Sequence, residues 1–144
     1  MTQAKTILLA IISGLIIAFI GEFLMGYLAA IAVPSEYFIW FRDSFFKGAG
    51  LLLLDVFNQF IAFGLLGIIA GITIGRKAPS SWFKTSAICY LVILLYFTIR
   101  MGSFPLPYGS SGVPWWLYLS MGVLPLCITM ASRFAANQYN HGVK

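Results

Sequence analysis

The run TILLAIISGLIIAFIGEFLMGYLAAIAV, residues 6–33, contains one ionisable acid, Glu22, in an otherwise uncharged stretch. Crossing a hydrocarbon core about 30 Å thick takes about 20 helical residues at about 1.5 Å each. The run is therefore long enough to span a bilayer as one helix. Lys5 precedes it as in a signal peptide, but the apolar stretch far exceeds the roughly 7–15 residues of a cleavable apolar region. It reads as a retained first helix.

Three further stretches have the same character: 48–74, 83–101 and 115–132. The whole chain agrees, with 60% hydrophobic, 17% aromatic and only 9% charged residues. Soluble domains carry roughly 25% charged residues. The expected fold is an all-α integral membrane protein, a four-transmembrane-helix bundle built as one domain over residues 1–144. Pro34, Pro79, Pro105, Pro107 and Pro114 fall between the spans, while Pro125 lies inside the fourth and is expected to kink it.

The formal charge of +5 comes from nine Lys and Arg against four Asp and Glu. These cations are scattered between apolar runs, with no basic face long enough to follow a phosphate backbone, so a nucleic-acid partner is not expected. Their distribution speaks to topology instead. Lys5, Arg76, Lys77, Lys84, Arg133 and Lys144 fall on one side of the four spans, and Arg42, Lys47 and Arg100 on the other. Both termini are thus expected in the cytoplasm, in a multi-pass protein of a plasma or inner membrane.

The first outer loop, residues 35–47, groups Tyr37, Phe38, Phe41 and Phe45 on one helical face and Glu36, Asp43 and Lys47 opposite. It reads as a short interfacial helix, an anchor for the first two spans or else a docking surface. The second outer loop, 102–114, holds Pro105, Pro107, Gly109 and Gly112 and reads as an irregular tether.

An ionisable group near the bilayer centre costs roughly 2.5–3.5 kcal/mol on insertion scales. Glu22 and Asp55 are the two carboxylates that need such a reason. In the first span Ala10, Gly14, Ala18, Glu22, Gly26 and Ala30 recur every fourth residue. In the second, Asp55, Gln59, Phe63, Gly67, Gly71 and Gly75 do the same. Both ridges suit close helix packing, and Gly14, Ala18, Gly26, Gly67, Gly71 and Gly75 are its expected seam. Treating the two spans as an antiparallel hairpin sets Gly14 level with Gly67, Ala10 with Gly71 and Glu22 with Gln59. The expected polar cluster is Glu22, Asp55, Asn58, Gln59 and Arg100, with Glu22 hydrogen-bonded to Gln59, and with Arg100, or Arg42 or Lys47 from the first loop, placed to neutralise Asp55.

Two cysteines, Cys89 and Cys127, are too few for a disulfide framework or a tetrahedral metal site. They read as buried thiols, neighbours in the hairpin of the third and fourth spans. The spans lack histidine and their serines lack a paired base, so no catalytic residue, metal or cofactor is expected. Two functions remain. One is a non-catalytic interaction protein, either an accessory or assembly subunit of a membrane complex or an immunity-type protein, in contact with lipid and with a membrane-protein partner or a second copy. The alternative is a small oligomeric transporter or channel working through Glu22 and Asp55.

Overall fold

The computed structural model describes residues 2–31, 36, 47–101 and 122–142. These are helical throughout apart from caps and turns, with no strand among the described residues. Helix α1 spans Gln3–Ala29. A second rod comprises α2, Lys47–Gln59, a π-helical turn, Phe60–Gly64, and α3, Leu65–Lys77. Helix α4 spans Trp82–Met101 and α5 spans Val123–Gly142. Among the described residues three segments are long and apolar enough to cross a membrane: Gln3–Leu28, Leu53–Lys77 and Trp82–Arg100. The expected interfacial helix, and the Trp115 end of the expected fourth span, lie outside the described residues.

Helix ends follow local chemistry. Arg76 and Lys77 close α3 beside its terminal carbonyls, where cations oppose the helix dipole favourably. Ala78 leaves helical geometry, and the Ser81 N–H donates to the Ala78 carbonyl at 3.1 Å, so the chain reverses within four residues before α4. Gly122 precedes α5 in a turn, which puts Pro125 third in the helix. Its missing N–H belongs there to the set that has no partner in any helix, and the expected kink site becomes a helix start. The Thr129 hydroxyl donates back to the Pro125 carbonyl. Helix α5 continues past Ser132, the expected span end, through a polar stretch to Gly142.

Among the described residues the π turn is the one irregularity inside a rod. The Leu65 N–H bonds to the Phe60 carbonyl, five residues back, so the turn holds one residue more than an α-helix would. On a regular helix a ridge of every fourth residue drifts by about 40° per step. From Asp55 to Gly75 the drift would total about 200°, onto opposite faces; the wide turn takes back about 100° of it.

Among the described residues the closest packing joins helices that are not consecutive. Helix α1 lies on α4, and α3 lies on α5. Residue numbers rise together along both contacts. Gly14 faces Cys89 and Val92 while Glu22 reaches Tyr96 and Arg100; Gly67 faces Leu124 and Gly75 faces Ser132 and Ala135. Both pairs are therefore parallel. The π turn also meets α1, and α4 meets α5, so the contacts close into a circuit of first, third, fourth and second rods. The buried core of this circuit includes Ile17, Ala62, Phe63, Ile74, Cys89, Ile93 and Ile128.

The small-residue ridges thus pack tightly, though against other partners than the antiparallel hairpin supplies. A Cβ on Gly14 would stand 2.7 Å from the Cys89 carbonyl oxygen, and one on Gly71 would stand 2.6 Å from that of Ile128. At Gly75 it would overlap the Ser132 carbonyl. Ala18 is fully buried, whereas Gly26 faces open space and contributes to no contact. Cys89 and Cys127 are both free thiols in separate seams, Cys89 against Gly14 and Cys127 against Gly64 and Gly67.

Candidate functional site

Glu22 sits on α1 one residue beyond Gly21, and both of its carboxylate oxygens are used. The Tyr96 hydroxyl donates to Oε2 at 2.7 Å, and the Arg100 Nε donates to Oε1 at 3.3 Å. Tyr96 and Arg100 are four apart on α4, so they lie one above the other on the same face, and that face meets α1. One carboxylate spans them both. The expected bond from Glu22 to Gln59 is replaced by these two, and Arg100, placed in the sequence reading to neutralise Asp55, is engaged by Glu22 instead.

The depth of this group explains its tolerance. Arg100 ends the third membrane-length segment, and Tyr96 lies one turn, about 6 Å, before it. Glu22 is therefore near the end of the span rather than at its centre. Arg100 is 67% exposed and Glu22 37% exposed in side-chain area, a geometry in which a long cation extends toward the headgroups while its stem stays apolar.

Beneath the ion pair lies an aromatic stack. Tyr96 and Phe97 meet edge to face with centroids 5.4 Å apart, and Phe97 meets Phe63 in the same manner at 5.8 Å. Phe63 belongs to the π turn, and its ring occupies the place that a Cβ on Gly21 would take. The missing side chain at Gly21 leaves room for this ring against α1, one residue before Glu22 in the chain. Three rods meet here: α1 brings the carboxylate, α4 its two donors, and the π turn the Phe63 ring that reaches Tyr96 through Phe97.

The remaining expected residues lie on α2. Asp55, Asn58 and Gln59 are half-buried there, ahead of the π turn.

A second polar junction was not anticipated. Ser86 and Ser132 are buried, and their hydroxyl oxygens lie 2.8 Å apart between α4 and α5. Each also reaches a carbonyl one turn back, Ser86 that of Trp82 at 2.8 Å and Ser132 that of Ile128 at 2.7 Å. Two hydroxyl protons serve three contacts, so the bond between the helices is shared with the carbonyls. A serine within an apolar run facing another helix is the signal that could have found it.

Among the described residues no group of three or more His, Cys, Asp or Glu is arranged to hold a metal ion. No family model, curated protein or solved structure matches the chain.

Proposed function

We propose that the chain forms a four-helix membrane bundle, with both termini on the cytoplasmic face of a plasma or inner membrane and an interfacial helix in the first outer loop. In this reading it acts as a non-catalytic interaction protein, an accessory or assembly subunit of a membrane complex or an immunity-type protein. The observation that supports this is the engagement of Glu22 by Tyr96 and Arg100. A carboxylate that carries protons or cations through a membrane must exchange partners during each cycle. Held by a phenol and a guanidinium at once, Glu22 is suited to fixing α1 on α4. The outward face of α1 offers contact area: Phe19, Phe23 and Tyr27, four apart in turn, are 70%, 72% and 67% exposed. Lipid, a membrane-protein partner or a second copy would cover it.

A second reading, the small oligomeric transporter or channel, draws on the π turn, since such turns recur at functional sites, and here Phe63 of that turn packs against Gly21, the neighbour of Glu22 in the chain. One pair of experiments separates the two. The full chain isolated in mild detergent is expected to run with a stoichiometric partner subunit, and purified protein in proteoliposomes is expected to pass no ions or protons. Flux that disappears in Glu22→Gln would favour the transporter.

A further inference from the structure

The polar groups of this molecule are strongly divided by sign. All four acidic residues, Glu22, Glu36, Asp43 and Asp55, fall within residues 22–55, and none occurs from 56 to 144. Lys5, Arg76, Lys77, Lys84 and Arg133 are all exposed. The packing brings these five to one end. Gly75 lies against Ser132, Ala135 and Ala136, which sets Arg76 and Arg133 at one height. The four-residue reversal after Lys77 places Lys84 beside them on the first turn of α4. Helix α1 runs parallel to α4, with Gly14 at Cys89, so its Lys5 end lies at the same level. Glu22, by contrast, is at the far end with Arg100.

Five exposed cations thus lie at one end of the membrane-length segments, while Glu22 on α1 and Asp55 on α2 lie toward the other. The aromatic pair Trp82 and Phe83 lies at the same level, with ring centroids 5.7 Å apart and Phe83 exposed, as befits a membrane–water boundary. A ring of Lys and Arg at that height meets the phosphate layer of a leaflet, where each cation near an anionic surface contributes attraction that falls off within a Debye length. We propose that this end is a binding surface for anionic phospholipid headgroups, held through their phosphates by Arg76, Lys77, Lys84, Arg133 and Lys5.

The test uses the full chain in detergent, titrated with phosphatidylglycerol or with phosphatidylcholine, and counts retained lipid by native mass spectrometry. Preferential retention of phosphatidylglycerol is expected, weakening as salt is raised. The variant combining Arg76→Gln, Lys77→Gln, Lys84→Gln and Arg133→Gln is expected to lose about fivefold in that preference per cation removed. Should that variant fail to fold, the salt dependence of the unaltered protein decides. Equal retention of the two lipids, or a preference indifferent to salt, overturns the proposal. Inorganic phosphate added alone is expected not to displace the lipid; displacement at equal concentration would assign the surface to free anions and overturn the lipid assignment.

Discussion

Tyr96 donates to Glu22 across the α1–α4 contact at 2.7 Å, one turn below the Arg100 that holds the other carboxylate oxygen. Tyr96→Phe keeps the ring and its edge-to-face contact with Phe97 while removing the hydroxyl. A hydrogen bond to a charged group stabilises, but in an exposed position solvent screens it, so a small loss of stability is expected. Reversible unfolding in mixed micelles measures it. A double-mutant cycle with Arg100→Gln is expected to be non-additive, because both donors act on one carboxylate. Strict additivity would show that the two bonds do not work as a unit.

The glycines of the α3–α5 seam differ sharply from Gly26. Gly71→Ala places a methyl against the Ile128 carbonyl oxygen, a backbone atom that cannot swing aside. Overpacking of this kind costs about 1–3 kcal/mol. Gly26→Ala meets open space and gains helix propensity of up to about 1 kcal/mol. Unfolding midpoints of the two variants are expected to move in opposite directions.

Ser86 and Ser132 supply a geometric test of the helix order. In a background with Cys89→Ala and Cys127→Ser, the pair Ser86→Cys and Ser132→Cys is expected to form a disulfide on mild oxidation, since the native oxygens lie 2.8 Å apart. A shift in electrophoretic mobility that reverses on reduction reports it. The pair Gly14→Cys and Gly67→Cys is expected to stay reduced, because those positions face α4 and α5 respectively. The reverse outcome would restore the sequential hairpin.

The Ser86–Ser132 bond itself is worth little. Polar bonds between membrane helices average about 0.6 kcal/mol, and here each hydroxyl has a carbonyl to fall back on. Ser86→Ala is therefore expected to lower stability by about that amount or less. A loss of several kcal/mol in the same unfolding assay would mean that the fallback carbonyls do not compensate.

The membrane-length segments were legible in the sequence because hydropathy over about 20 residues is a one-dimensional property. The small-residue ridges were legible too, since recurrence every fourth residue marks one helical face. Which ridge meets which helix was not. Short connections suggest that neighbours in sequence pack together, and that assumption paired Gly14 with Gly67. What decides the contact is shape: Gly14 receives the α4 backbone at Cys89, and Gly71 and Gly75 receive α5. The same assumption misdirected Glu22 toward Gln59. Tyr96 carries no sequence signal of its own, because its hydroxyl matters only once a carboxylate stands opposite. The π turn left no mark in the residues 60–64 by which propensity could have separated it from plain helix.

The parallel pairing of non-consecutive helices has a consequence for synthesis. When α1 and the α2–α3 rod have emerged from the ribosome, neither glycine ridge has yet met its partner. Glu22 must wait for α4 to be made before Tyr96 and Arg100 exist to hold it, and Gly67, Gly71 and Gly75 wait for α5. Neither half of the chain is therefore a finished unit, and a truncation before Val123 leaves the groove at Gly67, Gly71 and Gly75 open to lipid.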